Sequence, residues 1–472
     1  MSAPVAMGRV LPTLNEDGSR RWIRPKPAHG AHWQRRRAVA AGLMVVFFLV
    51  PHLRMAGKPL ILLDLPRRHF TLFGTTFLPT DTLLLMLLLA SIVIAIVLLT
   101  ALFGRVWCGW ACPQTVYMEF LFRPIERWVE GGRSGSLGLD KTHRHFHPRR
   151  LLKYAINAAL ALFLAHTFLA YFVGTEALAQ WVQRSPADHP TSFLVMAGTS
   201  LAVFGNFTYF REQTCLVACP YGRMQSVLLD RQSMIVAYDA SRGEPRMKGR
   251  DRPAGAGDCI DCGACVITCP TGIDIRDGLQ MECIHCTQCA DACDDVMTRV
   301  GKPKGLIRYT SREILEGHAR HLIRPRTVLY PIALAIALGG FTYALVTRDT
   351  ADVTLLGGQG EPFTQQADGR IANQVRVKIA NRTNVDHDYR IDVVGVAEAS
   401  VVAPQNPLRV AAGQTEVTPL FVLVPRAAFH DGEYRVTVRV TDGAGFSTAM
   451  PYRLVGPRDG DGDDDKRRSR DR

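Results

Sequence analysis

Eight of the chain's twelve cysteines fall between Cys259 and Cys293. They form two runs, Cys259-x2-Cys262-x2-Cys265-x3-Cys269-Pro270 and Cys283-x2-Cys286-x2-Cys289-x3-Cys293. Two-residue gaps let three thiolates converge on one four-iron cube, and the fourth ligand is the last cysteine of the other run. The pattern therefore predicts two [4Fe–4S] clusters. One takes Cys259, Cys262, Cys265 and Cys293, the other Cys283, Cys286, Cys289 and Cys269. A lone C-x2-C could serve zinc or a thiol redox pair, but zinc sites stop at four ligands. Asp294 stands where the second run would carry proline. That position shapes the turn and ligates no iron, so a local change and no lost cluster is expected.

The rest of the chain must carry this pair of clusters. At 472 residues it has room for two or three domains, with 47% hydrophobic residues gathered in blocks. A formal charge of +13 invites a nucleic-acid reading. Arg and Lys cluster instead at the flanks of the apolar blocks, as the positive-inside rule requires, so no nucleic-acid partner is expected and membrane lipid is. A long basic segment precedes the first apolar run, which argues against a cleavable leader.

In chain order, residues 1–37 read as a cytosolic, partly disordered basic tail. Residues 38–210 read as four transmembrane helices: 38–53, short and containing Pro51; 82–103, long and uncharged; 151–173, despite Lys153; and 191–210. A spanning helix needs about 20 apolar residues. Residues 211–326 hold the cluster insert, and 327–346 a fifth span. The 104–150 segment carries Arg105, Arg123, Arg127, Arg133, Lys141, Arg144, Arg149 and Arg150, whereas 174–190 carries only Arg184. Arg211 and Arg223 follow the fourth span, and Arg320, Arg324 and Arg326 precede the fifth. The N-terminus, the 104–150 loop and the cluster insert are thus expected in the cytosol. Arg54, Lys58, Arg67 and Arg68 on the opposite side dilute this bias without reversing it. All twelve cysteines fall on the side expected to be cytosolic, which suits a reducing compartment.

Beyond the fifth span the pattern changes to period two. Val375, Val377 and Ile379, then Tyr389, Ile391 and Val393, then Tyr434, Val436, Val438 and Val440 alternate with polar neighbours. Residues 350–456 should form a β-sandwich with no disulfide. Residues 457–472 read as a charged, disordered tail. The fold class is thus a multi-pass α-helical membrane protein with a doubled ferredoxin insert and a C-terminal all-β sandwich.

The four remaining cysteines repeat a motif after two hairpins: Cys108-x3-Cys112-Pro113 and Cys215-x3-Cys219-Pro220. Residues i and i+4 of a helix share a face, so each motif should offer two adjacent thiols, with the proline disturbing the helix beyond. Three readings stand open. The cysteines could be small buried residues; a four-thiolate site for Cu(I) or another iron–sulfur centre; or a dithiol relay. Arg105 and Arg211, shortly before each pair, are expected to favour thiolate. His143, His145 and His147 alternate in a basic loop as a candidate metal site. His166, inside the third span, is a candidate ligand, and Asn157 and Asn206 read as helix–helix contacts.

Taken together, the stretches Gly257-Asp258-Cys259-Ile260-Asp261-Cys262-Gly263, Cys269-Pro270-Thr271-Gly272-Ile273-Asp274-Ile275-Arg276, Gln280-Met281-Glu282-Cys283-Ile284 and Gly305-Leu306-Ile307-Arg308-Tyr309 closely resemble the cytochrome c oxidase accessory proteins called CcoG, FixG or RdxA. Both C-x3-C-P motifs, the spans and the terminal sandwich extend the resemblance over residues 30–456, and Asp294 fits that family's second run. The resemblance implies a bacterial inner-membrane protein with a periplasmic immunoglobulin-like domain. It also implies a role in maturing cbb3-type oxidase, reducing Cu(II) to Cu(I), with assembly factors and copper chaperones as partners. By resemblance Cys108, Cys112, Cys215 and Cys219 would bind or reduce copper. The electron donor is unidentified, and a homo-oligomer stays open. Two other readings compete. One is a ferredoxin-type subunit of a quinol-linked respiratory chain, whose relatives lack the fifth span and the sandwich. The other is an assembly scaffold, to which eight cluster ligands would be superfluous.

Overall fold

The computed structural model describes residues 12–15, 17–142, 147–248, 253, 255–319, 323–395 and 400–457. The chain divides into two compact units, one of residues 1–53 with 86–340, the other of 54–85 with 341–472.

Among the described residues, four helices are long and apolar enough to cross a membrane: Thr82–Phe103, Pro148–Val173, Pro190–Phe210 and Pro325–Val346. A helix of 22 residues rises about 33 Å, matching a hydrocarbon core of about 30 Å. Large apolar side chains such as Leu89, Leu194, Leu201 and Ile336 stand exposed along them, as lipid-facing residues should.

The helix over the expected first span carries a shorter apolar run than these. Its helix runs Ala31–Leu49 and ends in a short turn, Val50–His52, containing Pro51. It begins among Arg35, Arg36 and Arg37, which leaves only about a dozen uncharged apolar residues, roughly 18 Å of rise. Its first turns dock on protein instead: Arg36 is fully buried and donates from Nε to the Gly109 carbonyl at 2.9 Å. Asp291 caps the helix by accepting from the backbone N–H of His32 (3.1 Å) and Trp33 (2.7 Å). Residues 24–26 of the preceding segment are likewise part of the fold. Lys26 N–H donates to the Ile267 carbonyl at 3.1 Å, Thr268 Oγ1 donates to the Lys26 carbonyl at 2.6 Å, and Arg24 pairs with Glu126 and Asp140. Residues 1–11 lie outside the described residues.

The 104–150 segment is helical for most of its length: Val106–Trp110, a continuous helical stretch over 113–130 that widens to π-type turns at Met118–Phe122, and Gly132–Lys141. The cluster insert is framed by an antiparallel pair of strands, Ile235–Tyr238 and Ile307–Thr310, and by the helices Ala264–Ile267 and Gln288–Arg299. Val236, Ile273, Ile275, Met297, Leu306 and Ile307 fill its core between the cysteines.

In the other unit, two sheets face each other across a core of Ile371, Val375, Val377, Ile379, Tyr389, Ile391, Leu420, Val422, Val436, Val438 and Val440. The long strands Arg370–Asn381 and Thr415–Pro425 pair antiparallel with Val375 opposite Leu420, and Ile391 on His387–Val394 lies opposite Val440 on Glu433–Thr441. Period-two burial follows from this register. Residues 54–85, read from sequence only as a cation-bearing connection, contribute the strands Ile61–Asp64, His69–Leu72 and Thr75–Phe77. The buried Asp81 carboxylate closes this part, accepting from Leu78 N–H and pairing with Arg348 and Arg382. The charged tail from residue 458 lies outside the described residues.

Candidate functional site

Short gaps between cysteines force the backbone to reverse direction so that successive sulfurs face inward. The same device occurs in both runs: the residues before and after the second cysteine have positive φ. These are Asp261 (49°) and Gly263 (67°) around Cys262, and His285 (54°) and Thr287 (59°) around Cys286. Only one of the four is glycine. Each of the others costs on the order of 1–2 kcal/mol, a strain that the surrounding site must offset.

The cysteines gather in two groups that cross the runs. Cys259, Cys262, Cys265 and Cys293 line one cavity with Met297, Leu306 and Ile307. Cys269, Cys283, Cys286 and Cys289 line another with Val236, Ile273 and Ile275, and Cys265 reaches the wall between. The thiols sense the same grouping. Burial first, then Cys265, Asp294, Cys262 and Cys259, push the Cys293 thiol up to about 12. Burial, then Cys286, Cys283 and Cys269, and last Cys265 across the shared wall, raise Cys289 well above its ordinary range. Four such thiols in an apolar cradle repel one another as thiolates unless a multivalent cation joins them, so the donor set fits a thiolate-ligated iron–sulfur cluster. Asp294 has a role of its own: its carboxylate accepts from Gly305 N–H at 2.8 Å, fixing the turn into the Ile307–Thr310 strand.

The C-x3-C-P pairs are built differently from the expected single helix face. Cys108 sits in Val106–Trp110, the helix breaks at Ala111, and Cys112 is extended (ψ 127°), capping the helix that starts at Pro113. Cys215 lies in the Thr214–Ala218 turn, and Cys219 (ψ 108°) caps Pro220–Leu228. Each proline therefore opens a helix, at the position where its missing N–H costs nothing, and disturbs none. The two pairs meet: Cys215 lies within electrostatic reach of Cys112, Cys108 and Cys219, and Cys108 within reach of Cys112 and Cys219. The expected lowering of their pKa does not occur. Burial pushes Cys108 up to about 11 against the pull of Arg105, and Cys215 up to about 12. Arg211 is turned away, donating to both Glu126 oxygens at 3.0 Å.

The two thiol systems touch. Cys108, Ile284 and Cys286 form one buried cluster, with Tyr221 against it. Gly109 makes the approach feasible, since a Cβ there would lie 2.5 Å from the Ile284 carbonyl and 2.9 Å from the Cys286 N–H nitrogen. Hydrogen bonds lock the seam. Arg105 N–H donates to His285 Nδ1 at 3.0 Å, and its guanidinium donates to the Met281 carbonyl. Trp110 Nε1 donates to Tyr309 Oη at 2.8 Å, and Tyr309 Oη donates to the His285 carbonyl at 2.8 Å. His285 is fully buried, and burial followed by the Arg105 charge pushes its imidazole down to about 3. It therefore stays neutral and can accept at Nδ1.

Sequence reasoning did not find the ionic frame beneath this seam. Arg123 pairs with Glu119 and with Glu212 (3.1 Å) and donates to the Pro270 carbonyl (3.2 Å). Gln288 Nε2 donates to Glu119 at 3.1 Å. Glu126 receives Arg24, Arg211 and Lys153, and Lys153 also reaches Glu130 at 2.8 Å. The signal available was Glu119, Arg123, Glu126 and Glu130 at helical three- and four-residue spacing, the mark of one charged helix face.

Other candidates resolve simply. His143 and His145 lie outside the described residues, and His147 caps its helix by accepting from Arg149 N–H at 3.3 Å. His166 Nδ1 lies 2.7 Å from the Leu162 carbonyl of its own helix, a satisfied side chain. Asn157 donates to Thr208 (3.2 Å) and Asn206 to Gln114 (2.6 Å), tying helices together.

Comparison with known proteins agrees with this layout. Residues 210–312 match a family described as a 4Fe-4S dicluster domain, 85–131 a 4Fe-4S binding domain, and 341–457 the IG-like fold at the C-terminus of FixG. Among curated relatives, protein RdxA of Cereibacter sphaeroides is 35% identical over 86% of this chain and 90% of its own length. The nitrogen fixation protein FixG of Rhizobium meliloti is 32% identical over 91% of each, and protein RdxB of Cereibacter sphaeroides 33% identical over 80% and 83%.

Proposed function

The chain belongs to the FixG/RdxA family and is a membrane iron–sulfur electron-transfer protein; from that premise we propose that it reduces Cu(II) to Cu(I) at the membrane surface for the copper centre of a cbb3-type oxidase. Cys259, Cys262, Cys265 and Cys293 would hold one [4Fe–4S] cluster, and Cys269, Cys283, Cys286 and Cys289 the other. The clusters, when bound, supply one-electron transfer. What the chain itself contributes is order. Cys262 is exposed and offers a point of access for a donor. Cys286 is buried against Cys108 and offers the outlet. That contact is the observation that carries the reading: it brings the C-x3-C-P thiols beside the insert, so no electron need cross the bilayer.

Copper enters as substrate, one electron per ion. The positive-inside bias supports a cytosolic insert and a periplasmic sandwich in a bacterial inner membrane, with copper chaperones and oxidase assembly factors as partners. In cells, Cys108→Ser with Cys215→Ser should leave little active cbb3-type oxidase at unchanged protein level, with partial rescue by added copper. Normal oxidase in that variant would exclude the copper role.

A further inference from the structure

Building on the reading of the C-x3-C-P thiols as the electron outlet, we propose that Cys108, Cys112, Cys215 and Cys219 hold a resident third four-iron cluster and do not grip a single copper ion. Around one tetrahedral ion with metal–sulfur bonds of about 2.3 Å, sulfurs sit about 3.8 Å apart. Among the described residues, the only three His, Cys, Asp or Glu ligand atoms mutually within 4.8 Å belong to Glu313, Glu316 and His318. No three of these thiols are that close, yet each lies within electrostatic reach of the other three. A cube that takes one thiolate at each of four separate irons needs a wider cradle than one ion does.

The eight ferredoxin cysteines give the same answer by the same measure, since none of them appears in such a tight triple either. The quartet thus lacks the single-ion arrangement, as the chain's own cluster sites do. Its surroundings fit as well. The Gln114 and Thr115 backbone N–H groups point at Cys112, and the Arg105 guanidinium lies beside Cys108, so donors and a cation face the sulfurs of an anionic centre. On one side the cradle is closed by Ile284 and Tyr221, as the insert's cavities are closed by apolar residues. The stretch that matches a 4Fe-4S binding domain holds only Cys108 and Cys112. The second hairpin completes the set with Cys215 and Cys219.

Iron and acid-labile sulfide per chain, measured on the full-length protein purified without oxygen, decide the matter. Three clusters give about twelve irons, and Cys108→Ser with Cys215→Ser should give about eight, with the paramagnetic signals of the other two clusters kept. About eight irons in the wild type would overturn the third cluster, whether or not the double variant accumulates. So would a copper ion per chain that the double variant loses. A count of about eight with Cu(II) reduction intact would leave the proposed function standing. A count of about twelve without Cu(II) reduction would do the opposite.

Discussion

Cys269→Ser is expected to damage the cluster of the other run, leaving the one nearest in sequence intact. The thiols that Cys269 faces are Cys283, Cys286 and Cys289, and Cys293 faces Cys259, Cys262 and Cys265. Each substitution should remove about four irons, the content of one cube. Iron content alone cannot tell which cube is lost, but paired variants can. The paramagnetic spectrum left in Cys269→Ser should match that left in Cys286→Ser, and Cys293→Ser should match Cys262→Ser. The reverse pairing would mean that each run ligates its own cluster, and the shared wall at Cys265 would need another explanation.

Glu126→Gln should be the most destabilising single change outside the cysteines. This carboxylate is buried, and burial alone would raise its pKa. Arg211, Arg24 and Lys153 override that and hold it well below the ordinary carboxylate range. Removing its charge leaves three buried cations sharing fewer partners, a change that costs about 3–5 kcal/mol. Glu433→Gln, which breaks an exposed pair with Arg453, should cost no more than about 1 kcal/mol. Because the folded pKa of Glu126 is depressed, its contribution is fully present above the unfolded value of about 4.3 and is lost as pH falls through the folded value. Denaturation of the full chain in detergent checks both points: the variant should lose stability at pH 7 and show a shallower decline on acidification. Equal losses for the two variants would refute the ionic frame.

What could be read in the sequence was whatever local spacing controls. The cysteine runs, the long uncharged span at 82–103 and the period-two strands each carry their signal within a few residues, so the fold class was legible. What could not be read depends on partners far along the chain. Arg36 looks like a loop-flanking cation until the Gly109 carbonyl, 73 residues away, takes its Nε–H and docks the start of the first apolar helix on protein. The i, i+4 geometry of the C-x3-C-P motifs fails because Pro113 and Pro220 open new helices and leave Cys112 and Cys219 extended. The sign of the thiol shift was misjudged for a similar reason, since neighbouring arginines are visible in sequence and burial is not. Lys153 looked like an intruder in a membrane helix; its partners Glu126 and Glu130 sit on a helix more than twenty residues upstream.

On the proposed reading, electrons held by the ferredoxin insert leave through the C-x3-C-P thiols. The direct measurement mixes dithionite-reduced, full-length protein with Cu(II) under nitrogen, following cluster oxidation and Cu(I) formation together on a rapid-mixing timescale. The wild type should form one Cu(I) for each electron its clusters lose. The Cys108→Ser, Cys215→Ser protein, with the insert's clusters retained, should stay reduced over the same interval. Oxidation of that variant at the wild-type rate would contradict the account and place copper reduction at the insert itself.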